Sequence, residues 1–176
     1  KGARFLQLCD TFDLPVVSLI DCPGTHQGPD QERKALVRHF GRLLITGANL
    51  SVPMFGVVLR KAYGVGALAM CGASSVTPLF TVAWPTAEFS AHDIDRLATL
   101  AARAQPTEGT TPDQVRLTHL AALLENARAV NSGGVSYGID DVVDPADTRA
   151  WLAQGLKSIP PVPMRTEKKR PNLDTW

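Results

Sequence analysis

The alternation of apolar and polar residues divides the chain into two unlike halves. Phe5, Leu6, Leu8, Cys9 and Phe12 recur at helical spacing and stop at Asp13-Leu14-Pro15. Pro15 opens an apolar run, Val16 to Ile20, that reads as a buried strand ending at Asp21. The loop Cys22-Pro23-Gly24-Thr25-His26-Gln27-Gly28-Pro29 follows, and Asp30 reads as the cap of a long helix with Leu36, Val37, Phe40, Leu43, Leu44 and Gly47 inward. Pro53 begins a second strand, Phe55 to Leu59, which runs into the basic turn Arg60-Lys61. Gly64 to Ala69 then reads as the first turn of a short buried helix, Thr77-Pro78 ends that segment, and Phe80 to Trp84 is strand-like. This is the rhythm of an α/β protein, and it stops near Ala91.

Beyond that point the pattern is helical. Ile94 to Ala104 forms one helix, and the polar loop Gln105 to Thr111 leads to a second, Pro112 to Val130, with Leu117, Leu120, Ala121 and Leu124 inward. Asn131 to Gly134 reads as its C-cap and turn, and Tyr137 to Val143 as an extended piece. Asp144-Pro145 starts a last helix reaching about Leu156, with Asp144 as N-cap and Pro145 at the first helical position. From Pro160 the prolines and Lys168-Lys169-Arg170 predict an extended, solvated basic tail over 160–176.

Composition narrows the class. The chain has 176 residues, 44% of them hydrophobic, and a net charge of +1, which suits one domain with a proper core and shows no bias toward nucleic acid or membrane. Cys9, Cys22 and Cys71 are odd in number and lack a C-x-x-C pair, so they read as reduced thiols of a cytoplasmic protein rather than disulfides or a zinc site. His92 and His119 have no partners at metal-ligand spacing, and no metal is expected. Lys1 to Phe5 resembles a helix already under way, so the chain reads as a piece of a larger protein.

The chemistry concentrates where a strand meets glycine. A strand followed by Gly at the mouth of a helix aims backbone N–H groups outward, where they can hold a phosphate or the oxyanion of a reacting carbonyl. Gly64-Val65-Gly66-Ala67-Leu68-Ala69 formally fits G-x-G-x-x-[GA], and Glu88 stands at about the distance of the acidic residue in a dinucleotide site. Close helix–strand packing explains the same small residues, and an oxyanion site needs only the N–H groups of Val65 and Gly66. Asp21-Cys22-Pro23-Gly24 lies at a strand's C-terminal edge, where ligands of open α/β sheets gather, yet Pro-Gly is also ordinary turn punctuation. His26 is an acid–base candidate or a solvated loop residue, and His39 belongs to a helix surface. Arg60-Lys61 could hold an anion or simply be a solvated strand end; Tyr63 and Trp84 read as core or pocket wall.

Several blocks occur in a telling order: Ala3-Arg4-Phe5, Asp21-Cys22-Pro23-Gly24, Gly28-Pro29-Asp30-Gln31-Glu32, Arg38-His39, Arg60-Lys61-Ala62-Tyr63-Gly64, Ala83-Trp84-Pro85-Thr86-Ala87-Glu88 and Ile139-Asp140-Asp141-Val142-Val143-Asp144-Pro145. Together they resemble the C-terminal half of the carboxyltransferase subunit (beta chain) of biotin-dependent acyl-CoA carboxylases, the acetyl-/propionyl-CoA carboxylase group. The resemblance implies a crotonase-like (ClpP/crotonase) stacked ββα superhelix followed by C-terminal helices. By that resemblance a C-terminal carboxyltransferase domain is expected over residues 1–159, without its first elements. The resemblance also implies transfer of a carboxyl group from carboxybiotin, borne by a biotin carboxyl carrier protein or biotinylated alpha subunit, to an acyl-CoA. The CoA ester sits on the N-terminal domain of a neighbouring subunit of a homo-oligomer, and the half present here receives biotin.

By that resemblance Val65 and Gly66 supply backbone donors to the biotin ureido oxygen, and Gly24, Thr25, Tyr63, Gly64, Ala67 and Leu68 form the biotin and substrate surroundings. Leu68 stands where members vary with acyl-chain preference. A basic biotin enolate can take the α-proton, so no side-chain base is required. The departures are Gly64-Val65-Gly66-Ala67 for the usual two glycines and an alanine, Thr25-His26 for a Phe after Pro-Gly, and Phe89-Ser90-Ala91-His92-Asp93 for the usual Met-Gly and Glu-Gly-Ala steps. With the CoA-binding half absent, the chain alone is expected to be inactive. Two other readings stand beside it: a non-catalytic interaction module, and a crotonase-like hydratase or hydrolase that would need a base such as Glu88 at the glycine turn.

Overall fold

A computed structural model describes residues 1–26, 28–74, 77–104, 110–167, 169–170 and 173. Helix α1 (Gly2–Thr11) leads into strand β1 (Val16–Cys22). The expected long helix is two: α2 (Pro29–Arg33) and α3 (Leu36–Ala48). They break at Ala35, whose φ of +54° is left-handed, so the hydrogen-bond ladder cannot run through it. Asp30 therefore lies inside α2, after Gly28 as N-cap, and Val37 faces outward at 78% exposure rather than inward.

Strand β2 (Met54–Tyr63) is the axis of the molecule. It extends past Leu59 through the predicted basic turn, because both of its edges stay paired. On one side β1 runs parallel to it from Val16↔Met54 to Cys22↔Ala62. On the other, β3 (Phe80–Ala83) and then β4 (Glu88–Ser90) occupy successive lengths, Phe55↔Phe80 to Val58↔Ala83 and Lys61↔Glu88 to Tyr63↔Ser90. β4 extends the sheet to the end of the predicted α/β half. β5 (Asp141–Val142) adds to β3 and is much shorter than the extended piece expected there. Its neighbour Asp140 exchanges bonds with Thr81, accepting from its N–H at 2.6 Å and donating its own N–H to the Thr81 carbonyl at 2.8 Å.

A parallel strand buried on both faces needs a continuous apolar run, and Phe55, Val57, Val58 and Ala62 are all 0% exposed. One face of β2 packs with Ile20, Ala67, Ala83 and Phe89. The other packs Val57 and Val82 against Trp84 and Trp151, the latter on α8 (Thr148–Ser158). Gly155 lets α8 sit on the sheet, since a Cβ there would lie 2.7 Å from both Phe55 and Phe80. Trp84 is thus core wall, its indole N–H bonded to Thr148 at 2.9 Å.

Helix α4 (Gly64–Met70) follows β2 without a loop. In the second half, α5 (Ile94–Ala104) packs on α6 (Pro112–Ala127), which opens on a capping box between Thr111 and Gln114. The inward residues of α6 differ from those predicted: Val115 and Ala127 are buried with Leu120, Leu123 and Leu124 against the core, whereas Leu117 and Ala121 face outward. The helix ends at Ala127 because Ala129 donates to the Ala87 carbonyl at 2.8 Å, pulling the chain onto β4. The expected C-cap at Asn131–Gly134 is instead the start of α7 (Ser132–Tyr137). Asp144 caps as predicted, accepting from Ala146 at 2.8 Å, but Pro145 opens a 3-10 turn before α8. The loop predicted over 105–111 lies mostly outside the described residues.

The tail is exposed from Pro160 to Glu167, but three of its cations are tied to α1 and the turn after it. Lys169 reaches Asp10 and Asp13 at 3.1 Å each, Arg170 reaches Asp10 at 2.6 Å, and Arg165 pairs with Asp13.

Candidate functional site

The mouth of α4 is set by three close approaches. Gly64 has φ +58°, a conformation that costs a side chain strain, and a Cβ there would lie 3.1 Å from the Ala91 carbonyl oxygen. At Gly66 a Cβ would stand 2.8 Å from Cys22 Sγ and 3.3 Å from the Gly24 backbone. The small residues thus bring the β1 loop, the α4 mouth and the segment after β4 together. The first N–H groups of a helix have no intrahelical partner, and those of Val65 and Gly66 lie in this first turn.

Two clefts meet at Gly64 and Val65. One, of about 620 Å³, is lined by Gly24, Thr25 and His26 of the β1 loop, by Tyr63, Gly64 and Val65, and by His92, Asp93 and Arg96 at the start of α5. The other, of about 670 Å³, is more apolar: Leu68, Phe89, Leu123, Ala127 and Tyr137 form its walls. Of the residues singled out in the sequence, Gly24, Thr25, Tyr63, Gly64 and Val65 line the first cleft, and Gly64, Val65 and Leu68 the second. Ala67 does not face either cleft; at 0% exposure it packs in the core beneath α4, and Gly66 is buried under the β1 loop. His39 and His119 lie elsewhere, on α3 and α6.

The polar groups around the mouth are paired. Tyr63 is 2% exposed, and its hydroxyl donates to Glu88 at 2.5 Å. Burial and the adjacent carboxylate push the Tyr63 phenol well above its ordinary pKa, so it stays protonated as a donor. Lys61 lies 5.6 Å from the centre of the Tyr63 ring. Arg60 grips Asp21, with Nε and Nη2 bonds of 3.1–3.3 Å, and the Lys61 N–H adds another at 3.2 Å. The Arg60 hydrogen bond holds the Asp21 carboxyl below its usual range. Arg60 is thus engaged in tying β1 to β2. Asp93 accepts from the Arg96 N–H at 2.8 Å and starts α5.

The residues that sequence reasoning did not assign to the clefts come from β4 and from the helical half. Phe89 and Tyr137 stack with ring centres 4.7 Å apart, and the Tyr137 hydroxyl lies 3.6 Å from Cys71 Sγ. Burial raises both the Cys71 thiol and the Tyr137 phenol. Their signal in the sequence was the single apolar position at Phe89; Tyr137 comes into place only through α7. All three cysteines are free thiols. Among the described residues no group of His, Cys, Asp and Glu could hold a metal ion, and no helix is long and apolar enough to cross a membrane.

Comparison with known proteins agrees with this architecture. The methylmalonyl-CoA carboxyltransferase 12S subunit of Propionibacterium freudenreichii is 37% identical over 164 residues, covering 89% of this chain and 30% of that protein. The propionyl-CoA carboxylase carboxyltransferase subunit of Haloferax mediterranei is 32% identical over 159 residues, covering 90% of this chain and 31% of its own length. The chain thus spans under a third of each relative. Among solved structures, a transcarboxylase 12S hexamer with methylmalonyl-coenzyme A superposes with a TM-score of 0.80 at 32% identity, over 99% of this chain and 34% of that one. A single-chain, multi-domain long-chain acyl-CoA carboxylase gives 0.76 at 40% identity, over 87% of this chain and 15% of that one. The fold is the crotonase-like α/β fold of these proteins. The carboxyl transferase domain family matches residues 1–173, which establishes that this chain belongs to that family, corresponding to the C-terminal half of its acyl-CoA carboxylase beta subunits.

Proposed function

We propose that this chain is the biotin-side half of a carboxyltransferase that moves a carboxyl group from carboxybiotin to an acyl-CoA of the acetyl or propionyl class. The observation that supports the reading is the α4 mouth, where Val65, whose N–H lies in the first turn of the helix, lines both clefts while Gly66 sits directly behind it under the β1 loop. Donors fixed in advance stabilise charge that develops only during reaction, because they need no reorganisation. Here the charge is the biotin ureido oxygenate left as the carboxyl group departs. Gly24, Thr25, Tyr63 and Gly64 surround the biotin ring, and Leu68 on the apolar side meets the acyl chain. Ala67 acts from beneath, as packing that sets the height of the α4 turn.

Biotin arrives on a carrier protein or biotinylated alpha subunit, and the acyl-CoA on the N-terminal carboxyltransferase domain of a neighbouring subunit. Exposed Leu117, Val130 and Val135, all after Ala91, support an oligomer in which those side chains are covered. Free thiols support a cytoplasmic setting. Glu88 is occupied by Tyr63, which supports biotin-assisted proton transfer over a hydratase using Glu88 as base.

The test is decarboxylation of methylmalonyl-CoA with free biotin as acceptor, by this chain alone and joined to an N-terminal carboxyltransferase domain. Activity is expected only in the joined form. Val65 is 51% exposed, so replacing it disturbs little packing. In the joined form Val65→Ala keeps the donor and leaves the rate within about threefold, while Val65→Pro removes it and costs on the order of 10²–10³ in kcat. A folded joined protein with no activity would instead favour a non-catalytic module.

A further inference from the structure

The stretch after α8 carries a pattern that the carboxyl-transfer reading does not use. Ile159-Pro160-Pro161-Val162-Pro163-Met164-Arg165 places three prolines within four residues. A proline ring fixes its own φ and pushes the residue before it out of the helical region into an extended one. Here Pro160 acts on Ile159, Pro161 on Pro160 and Pro163 on Val162. Every residue from Ile159 to Pro163 is thus constrained by its own ring or by the next one. The backbone this allows is polyproline II, a left-handed helix with three residues and about 9 Å per turn. Ile159 has φ −70° and ψ 126°, close to the ideal of about −75° and +145°. From Pro160 to Arg165 the chain joins no helix or strand.

This strap is tied at both ends. α8 holds it at Ser158, and the pairs of Arg165 with Asp13 and of Lys169 and Arg170 with Asp10 fasten the other end to α1 and its following turn. Between the ties it stands in solvent: Pro160, Pro161 and Pro163 are exposed, and Met164 is fully so. Three residues per turn put Pro160 and Pro163 on one ridge, Pro161 and Met164 on the next, and Val162 with Arg165 on the third. Arg165 draws that third ridge toward Asp13, and Val162 is accordingly less exposed, at 53%. The two ridges that carry prolines face outward.

These features select the partner. Pro160, Pro161 and Pro163 have no N–H, so another strand cannot pair with the strap through an amide ladder. Arg165 is engaged by Asp13, so an acidic groove gains little from it. What is left is ring and side-chain surface at a fixed spacing, ordered before any partner arrives, so docking costs little conformational entropy. We infer that Pro160 to Met164 is a docking strap for a partner protein whose groove is lined by parallel aromatic side chains, which seat the two outward ridges between them. The proposal stands apart from the carboxyl-transfer reading and can hold if that fails.

Nuclear magnetic resonance titration of the isotope-labelled full chain with a WW domain, whose groove is of this aromatic type, tests it. Saturable amide shifts are expected at Ile159, Val162, Met164 and Arg165, and a proline oligomer added afterwards should reverse them by taking the groove. Pro160→Ala and Pro163→Ala each remove a ridge contact and loosen the free backbone, so each should weaken binding about tenfold. Met164→Ala should weaken it about threefold. Pro112→Ala, at the start of α6, should leave it unchanged. The strap residues are exposed, so the variants should keep the wild-type spectrum elsewhere, which shows that they are folded. The proposal is overturned by no saturation up to about 1 mM WW domain, by shifts centred away from the strap, or by shifts that the proline oligomer does not reverse. A loss of affinity in Pro112→Ala as large as in Pro163→Ala would overturn it too.

Discussion

Two regions of this molecule are held by opposite physics. Around β2 and α4 the side chains are apolar, several at 0% exposure, and the approaches are so close that glycine is required at Gly66 and Gly155. At the margin, α1 is fastened to the tail by carboxylates and cations: Asp10 and Asp13 against Arg165, Lys169 and Arg170. The inner region depends mainly on shape, with charge confined to its edge at Tyr63–Glu88 and Arg60–Asp21. The margin depends on charge, and since Asp10 is buried while its partners are half-buried, it responds to pH more than to salt. The glycine mouth belongs to the inner region, so its geometry is insulated from solution conditions that loosen the tail.

The largest expected effect tests the inner region. Phe55→Ala should cost about 3–5 kcal/mol in denaturant unfolding, by removing a ring packed 5.0 Å from Phe80 and leaving a cavity under Gly155. The loss should be the same at pH 7 and pH 4; a strongly pH-dependent loss would break the contrast.

Asp10→Asn probes the margin and should cost about 2 kcal/mol at pH 7. Burial alone would raise the Asp10 pKa, but the bonds from Ser51, Arg170 and Lys169 outweigh it and hold the carboxyl well below its usual range. A depressed folded pKa gives stability that is fully present above the unfolded value of about 3.9 and is lost as pH falls toward the folded one. The difference between wild type and variant should therefore shrink below about pH 4, as thermal melts across pH would show.

Gly66→Ala places a methyl group against Cys22 Sγ and should cost about 1–2 kcal/mol, part of the overpacking being offset by the better helix propensity of Ala. Hydrogen exchange should show faster opening of the loop after β1. Unchanged exchange there would mean that α4 does not rest on that loop. Thr111→Ala removes the α6 cap and should cost about 1 kcal/mol. The smallest effect is expected at Arg60→Gln. That arginine and Asp21 are exposed at 65% and 37%, so water and salt screen their ion pair and its loss should barely move the denaturant midpoint.

Much of the fold was legible where its signals are local. The strand Val16–Ile20, the glycine mouth and the Asp144-Pro145 start all announce themselves within a few residues. The misses share a cause in distant contacts. The sequence showed Arg60-Lys61 as a turn, and pairing with β4 and β1 made it strand. Leu117 and Ala121 fit the helical period, yet α6 is rolled so that Val115, Leu123 and Ala127 face inward, because the chain after it is drawn onto Ala87. The break at Ala35 has no local breaker residue. The clefts divide the same way: Gly24, Thr25, Gly64, Val65 and Leu68 could be found from motif and resemblance, but His92, Arg96, Leu123 and Tyr137 reach the clefts only through helix packing.

By itself the sequence determined the α/β start, the helical finish and the glycine turn at Gly64, since apolar period, capping residues and glycine act over a few positions, and its ordered motif blocks carried the resemblance to the family. Only the tertiary structure decided that two clefts meet at that turn, that Ala67 lies under it rather than in it, and that the basic tail folds back on Asp10 and Asp13. The physical reason is sequence separation. A carboxylate near one end and a cation near the other carry no mark of each other until the sheet between them has formed.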